Sequence, residues 1–324
     1  MKKDISNLLE ELKAEKYSIC LGKDLEPEIK TPTGIFLLDY LLGGGIGLKH
    51  RIEFFGKEGC GKTLLSLLII REFQKRGKNC IFVDAERSFD KEWAEILGVD
   101  VNNLIILYPE SLEQAGDLLY RLVTKKIDLI IIDSIVSLIP KAEIERDTDE
   151  PTIALNAKIN ALICKKIYSA YADSNTSIIF INQMREKVGV MYGNPNTTGG
   201  GKAPLHLYNT RVEFKVGKPI ITKVENEKGK EEEVRVGHEI QLHCIKNKKG
   251  KSFRTGIVDF YYDGYVDNKK SLFYNAIKFG VIATAGGGNY TYKDIKGKGI
   301  PDLFAKLDEK MWKEIEAEIW KNVK

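Results

Sequence analysis

The chain has 324 residues, room for about two domains at roughly 150 residues each, and its 43% hydrophobic content excludes disorder along the whole length. Fifty Lys+Arg against 46 Asp+Glu leave a net charge of +4, so no bulk charge marks a nucleic-acid binder and any basic surface must be local. The longest apolar runs, such as Leu64–Ile70 broken by Ser66, are shorter than the ~18–20 residues of a membrane span, and Cys20, Cys60, Cys80, Cys164 and Cys244 show neither paired nor metal-ligand spacing. Asp4, Asn7, Glu10 and Glu11 stand where a signal peptide would be apolar, and the odd cysteine count favours a reducing, cytoplasmic compartment. Secreted, membrane-spanning and zinc-dependent readings drop out.

From Asp4 to Lys16, residues Ile5, Leu8, Leu9 and Leu12 fall at i, i+3, i+4 and i+7, one apolar stripe on a helix. A linker, Leu21–Pro32, carries two prolines and mixed charge. A strand is expected at Ile52–Phe55, then a glycine-rich turn, then an apolar helix from Lys62 to about Gln74 that Gly77 stops. Strand Cys80–Val83, a helix over Lys91–Leu97 and strand Leu104–Leu107 follow. The next helix opens with the capping box Ser111-Leu-Glu-Gln114. Leu129–Ile132 and Ile178–Ile181 are continuous apolar strands, and such strands separated by helices mean a parallel sheet covered on both faces. After about Lys202 the pattern changes. Arg211–Val216 and Glu239–Ile245 alternate like antiparallel strands, joined by a charge-rich hairpin, Lys223–Arg235, that most simply reads as a solvated turn. A last unit holds a helix at Leu272–Phe279, a Tyr290-Thr-Tyr292 strand and one amphipathic helix from Leu303 to Val323.

Gly56-Lys57-Glu58-Gly59-Cys60-Gly61-Lys62-Thr63 fits the phosphate-binding loop G-x-x-x-x-G-K-[ST] at every fixed position, between a strand and a helix. Its glycines let backbone N–H groups turn around phosphate oxygens, Lys62 reaches the β- and γ-phosphates, and Thr63 can ligate Mg²⁺. Asp133, ending its strand, lies where the second metal carboxylate of such a site belongs. Hydrolysis also needs a group to orient water. Asp84 and Glu86 both follow strand Cys80–Val83 into the same crevice, and position alone does not separate them.

These residues, in this order, resemble the RecA recombinase family, including its phage-encoded members, over nearly the whole chain. Further family-like stretches are Phe82-Val83-Asp84-Ala85-Glu86, Ile131-Ile132-Asp133-Ser134, Pro140 to Glu145, Phe180-Ile181-Asn182-Gln183-Met184-Arg185, and Lys187 to Pro195 running on to Gly201. The resemblance implies an α/β fold: a RecA-like P-loop ATPase core with a mostly parallel sheet flanked by helices. Residues 1–30 would be an N-terminal helical arm joining subunits, 31–267 the core and 268–324 a small α/β domain. ATP and Mg²⁺ would be the cofactors. Glu86 would activate water, Gln183 would sense the γ-phosphate, Asp90 would touch the adenine amino group and Trp93 would stack on the ring. Lys246 and Lys248 would reach a neighbouring protomer's ATP, and Tyr262 would cap the base from that same neighbour.

Two DNA-binding loops would line a filament axis, one at about 141–153 and one at 184–201. Ile153 stands at a wedge position, and Lys158 and Lys165 replace phosphate-contacting arginines. Arg185, Lys187, Met191, Tyr192, Gly200 and Gly201 belong to the second loop, whose basic, aromatic and glycine mixture suits nucleic acid. Cys60, Gly199 and His206 depart from the usual residues, and Lys321-Asn-Val-Lys324 lacks the acidic tail of many members, which predicts less self-inhibition. The implied activity is a DNA-dependent ATPase that forms a homo-oligomeric filament on single-stranded DNA, pairs it with homologous duplex and exchanges strands. Single-strand-binding and loader proteins are the further partners this suggests, with no membrane involved. A ring motor of the same core, or a DNA-coating scaffold with weak strand exchange, are the alternatives.

Overall fold

The computed structural model describes residues 2–15, 19–125, 127–145, 153–171, 174–186, 196–225 and 229–323. In chain order the elements are α1 (Lys2–Ala14), β1 (Lys30–Thr31), α2 (Phe36–Leu42), β2 (Ile46–Gly47), β3 (Arg51–Gly56), α3 (Lys62–Gln74), β4 (Cys80–Asp84), α4 (Lys91–Ile96) and β5 (Leu104–Leu107). Then come α5 (Leu112–Val123), β6 (Leu129–Asp133), α6 (Lys141–Ile144), α7 (Ile153–Ala170), β7 (Ser177–Glu186), β8 (Asn196–Thr198), α8 (Ala203–Leu207), β9 (Thr210–Glu225), β10 (Glu231–Asn247), β11 (Thr255–Tyr261) and β12 (Val266–Asp267). The chain closes with α9 (Lys269–Lys278), β13 (Ala283–Thr284), β14 (Asn289–Tyr292), β15 (Ile295–Lys298), α10 (Ile300–Lys306) and α11 (Glu309–Asn322). No described helix is long and apolar enough to cross a membrane.

The main sheet runs β12-β11-β10-β9-β3-β7-β6-β4-β5, with β8 paired to β7 off this path. From β9 to β5 the neighbours are parallel, and from β9 to β12 they are antiparallel. Successive side chains of a strand point to opposite faces, so continuous apolar runs feed two cores at once. Cys80 and Phe82 join Leu65, Leu68, Ile69 and α2 on one face; Ile81 and Val83 join Leu112, Leu119, Ile163 and Ile167 on the other. Helix α3 is buried almost all round beneath the sheet. Helix α5 is capped by Ser111, whose hydroxyl accepts from Gln114 N, while Gln114 Oε1 accepts from Glu110 N, one residue outside the expected capping box.

Three expectations are corrected. The expected hairpin Lys223–Arg235 is present, but its described residues are mostly strand rather than solvated turn. β9 and β10 are 16 and 17 residues long, and their register continues through Ile221 opposite Arg235, Thr222 opposite Val234 and Val224 opposite Glu232. β-branched residues at these positions sustain the ladder, and Lys223 and Glu231 pair across it at 2.8 Å, so charge there decorates a ribbon exposed on both faces. The helix expected over Leu303–Val323 is two helices, because Asp308 leaves the helical path and caps α11 by accepting from Met311 N. The second loop is shorter than 184–201: β7 continues to Glu186 and pairs with β8, Met184 opposite Thr198.

The C-terminal elements share the first core. Trp320 meets Phe36 edge-on at 5.9 Å, Phe279 meets Tyr40 at 6.0 Å, and Phe273 sits fully buried against Tyr274, Tyr290 and Phe304. Truncating Phe273→Ala is expected to cost about 3–5 kcal/mol, read as a lower urea midpoint with unchanged slope. A loss below about 1 kcal/mol would contradict this packing.

Candidate nucleotide site

Parallel pairing brings the C-terminal ends of four strands to one crevice. Gly56 lies opposite Gln183, Asp84 opposite Asp133, and Asp133 opposite Ile181. A cleft of about 410 Å³ opens there, lined by Glu58 to Leu64, by Glu86, Ser88, Asp133 and Gln183, and by Trp93, His238 and Phe260. The loop between β3 and α3 is shaped by its glycines. A Cβ at Gly56 would stand 2.3 Å from Phe214 O, and Gly59 and Gly61 adopt φ of 69° and 90°, where side chains are strained.

Lys62, only 7% exposed, folds its ammonium back onto its own loop, donating to Lys57 O at 2.7 Å and Gly56 O at 3.2 Å, with Cys60 Sγ at 3.6 Å. No carboxylate among the described residues pairs with it. A buried cation satisfied by two carbonyls and a thiol sulfur, at the N-terminus of a 13-residue helix, suits a polyanion. Cys60 is buried, donates to Lys57 O, and has its thiol pushed up by burial, so it acts here as a loop-packing residue.

The acidic side is equally organised. Thr63 Oγ1 donates to Asp133 Oδ2 at 2.5 Å. Burial, opposed by that bond, and then the nearby Glu86 and Asp84 charges raise the Asp133 carboxyl to about 6. A desolvated carboxylate beside two others fits a divalent cation, and Thr63 with Asp133 would supply its two protein ligands, phosphate oxygens and water the rest. Glu86 and Asp84 now separate. Asp84 is fully buried, and its two oxygens accept from Ser88 N at 3.1 Å and Phe89 N at 2.9 Å, so it shapes the loop. Glu86 lines the cleft, and its Oε1 accepts from Ser134 Oγ at 2.9 Å and Gln183 Nε2 at 3.3 Å. The amides of Ala85 and Glu86 both donate to Asp133 O, tying this loop to β6.

A buried network runs behind Gln183. Asn182 Nδ2 donates to Glu53 Oε1 at 2.9 Å and approaches Gly199 O at 3.4 Å. Arg211 Nε donates to Glu53 Oε2 at 2.5 Å, and its NH2 group reaches Thr198 Oγ1 at 3.4 Å. Burial raises the Glu53 carboxyl, and the Arg211 charge and these hydrogen bonds oppose it. β7, which carries Gln183, is thus fastened to the C-terminal edge of the second loop.

The remaining expected residues fall as follows. Trp93 lines the cleft, but Asp90 is exposed, off the cleft wall, and caps α4 by accepting from Trp93 N at 3.0 Å. Tyr262 is 45% exposed and packs on His238 and Phe260, at 5.9 and 6.0 Å, beside its own chain's cleft. Lys246 and Lys248 do not line that cleft. Lys246 Nζ donates to Leu205 O at 2.6 Å, and burial with the neighbouring Lys248 charge lowers its pKa; Lys248 is exposed. Lys158 and Lys165, seven residues apart on α7, share an exposed face, and Gly200 and Gly201, at φ of 89° and 84°, line a groove with Asn156, Ala157 and Asn160. Ile153 opens α7 and Arg185 lies opposite Thr197. Lys187, Met191 and Tyr192 lie outside the described residues, as does part of the first loop, whose residues 141–144 form the short helix α6. Ser88, His238 and Phe260 are cleft residues that no sequence motif signalled.

The family model for the RecA N-terminal domain matches residues 4–267. The chain belongs to the RecA family. It is 36% identical over 301 residues to Protein RecA of Mycoplasma mycoides subsp. mycoides SC, covering 91% of this chain and 84% of that one. It is 41% identical over 258 residues to Protein RecA of Thermus aquaticus (79% and 73%), and 38% identical over 271 residues to that of Francisella tularensis subsp. novicida (83% and 73%). Within this RecA-family site, the raised Asp133 carboxyl has a consequence for stability. Its folded-state value exceeds its unfolded one, so the folded state is favoured below about pH 4, and that advantage fades as pH rises through about 6. Without metal, Asp133→Asn is expected to stabilise the protein at pH 7.5 by on the order of 2–3 kcal/mol, with no gain near pH 4. Urea unfolding across this range checks it, and a gain independent of pH would contradict it.

Proposed function

We propose that the chain, a RecA-family recombinase and DNA-dependent ATPase, works as a filament on single-stranded DNA with ATP held where one protomer meets the next. The observation that carries this reading is the convergence of the phosphate loop, the Thr63–Asp133 pair and the Glu86–Gln183 pair on one cleft. Loop amides and Lys62 hold the triphosphate, Lys62 exchanging carbonyl partners for phosphate oxygens. Thr63 and Asp133 would hold a Mg²⁺ ion, which would supply positive charge against the negative charge developing in phosphoryl transfer. Glu86, oriented by Ser134 and Gln183, positions a water and takes its proton as that water attacks the γ-phosphorus and the bond to the β-phosphate oxygen breaks.

Gln183 is the coupling residue. Nucleotide drawing its amide away from Glu86 would shift β7, and the Asn182–Glu53–Arg211–Thr198 network would carry that shift to the second loop. Lys246 and Lys248, which do not line their own cleft, would complete a neighbour's site as cationic fingers. Lys158, Lys165 and the glycines at 200–201 would hold DNA through its backbone, lysine giving charge without arginine's fork. In this arrangement residues 1–30 join protomers and 268–324 form the small outer unit. Homologous duplex is the second DNA partner.

Three outcomes follow for steady-state phosphate release. Single-stranded DNA should stimulate the wild type severalfold or more. Lys62→Ala should abolish turnover. Glu86→Gln should lower kcat by about 10²–10⁴ while nucleotide-dependent DNA binding persists. A turnover rate indifferent to DNA would contradict the proposal.

A further inference from the structure

Residues 246–254 end β10 and turn the chain towards β11, and they carry five cations and no carboxylate. Like charges this close repel one another, so charge alone would splay the turn and leave Lys246 and Lys248 without a fixed aim. Asn247 stands between those two lysines. Its amide is buried, 7% exposed, while Lys248 is exposed and Lys246 half-buried.

That residue is fastened on every side. Asn247 Oδ1 accepts from Thr210 Oγ1 at 3.2 Å and from Lys249 N at 2.8 Å, Nδ2 donates to Leu41 O at 3.1 Å, and the backbone N–H donates to Ser252 Oγ at 2.8 Å. The Thr210 hydroxyl commits its proton to Asn247, so it accepts from His50 Nε2, 2.7 Å away. That makes His50 the Nε2–H tautomer and leaves its unpartnered Nδ1 a bare acceptor. Burial first, then the Lys249, Lys30 and Arg51 charges, push the His50 pKa down to about 3, so the ring is neutral. One residue therefore ties the end of β10 to the start of β9, the entry to β3, the end of α2 and both limbs of the turn. Gly250 leaves it room, since a Cβ there would stand 3.0 Å from Asn247 Nδ2. A neutral amide holds a cationic turn without neutralising it, whereas a carboxylate in its place would draw the lysines onto itself.

We infer that Asn247 is a positioning residue for hydrolysis at the neighbouring protomer's site, holding the turn so that Lys246 and Lys248 meet the nucleotide bound there. The assignment rests on the reading of those lysines proposed above. Full-length Asn247→Ala is assayed for phosphate release with ATP, Mg²⁺ and single-stranded DNA, alone and in 1:1 mixtures with Glu86→Gln or with the Lys246→Ala/Lys248→Ala double variant. Alone, its kcat is expected to fall about 10–100-fold, the scale of a misplacement near 1 Å. Mixed with Glu86→Gln it should return to about a quarter of wild-type turnover, because one variant keeps an intact cleft and the other supplies intact lysines. Mixed with the lysine variant it should not return, because both spoil the same face. Ser252→Ala removes one bond at a half-buried site and leaves both lysines in place. It should lose about 3–10-fold and recover with the same partner, and it decides the matter if Asn247→Ala fails to bind DNA. Wild-type turnover by both variants alone, or recovery with the lysine variant, overturns the assignment. If Glu86→Gln and the lysine variant do not complement each other, the reading of the lysines falls and this with it. If those two complement while neither Asn247→Ala nor Ser252→Ala recovers with Glu86→Gln, this inference alone falls.

Discussion

The parallel register of β3, β7, β6 and β4 is the constraint on which the site depends. Because Gly56 lies opposite Gln183, and Asp133 and Asp84 lie level with Ile181 two residues earlier, one edge of the sheet presents a helix N-terminus, a buried lysine and the carboxylates of Asp133 and Glu86 to one cleft. The register is held by side chains that cannot slip. Each strand buries both faces, so a one-residue shift would exchange Phe82 for Val83 between two differently shaped cores. Core packing and site geometry are therefore one problem.

The same arrangement explains why the site is electrostatically unsettled without ligand. Lys62 is buried with two carbonyls and a thiol sulfur but no carboxylate, and Asp133 is buried beside Glu86 and Asp84. Each is costly alone, and the metal-bound triphosphate of the proposed function would answer both at once, anion to lysine and cation to carboxylate. Glu53 shows the opposite solution, a buried carboxylate fully engaged by Arg211 and Asn182, which makes it a rigid strut between β7 and the second loop.

Much of this was legible in the residues. The boundaries of α3 and β5 follow from glycine placement and apolar continuity, and the phosphate loop and Asp133 follow from motif and strand position. Glu86 and Asp84 were indistinguishable by position. The backbone bonds of Ser88 and Phe89 to Asp84 separate them, and no spacing rule encodes those. The length of the β9–β10 ribbon was hidden because charge on both faces mimics a turn, and the break at Asp308 because the apolar period continues across a cap. His238 and Phe260 carried no signal, since they line the cleft only because β10 and β11 run beside the phosphate loop.

The central claim is that each ATP site is completed by the adjoining protomer, and mixing inactive variants tests it most directly. Glu86→Gln spoils a protomer's own cleft, while a Lys246→Ala/Lys248→Ala double variant spoils only what it offers its neighbour. A 1:1 mixture on single-stranded DNA should regain about a quarter of wild-type turnover, the fraction of junctions that pair an intact cleft with intact lysines. Turnover no greater than the mean of the two variants measured alone would contradict the account.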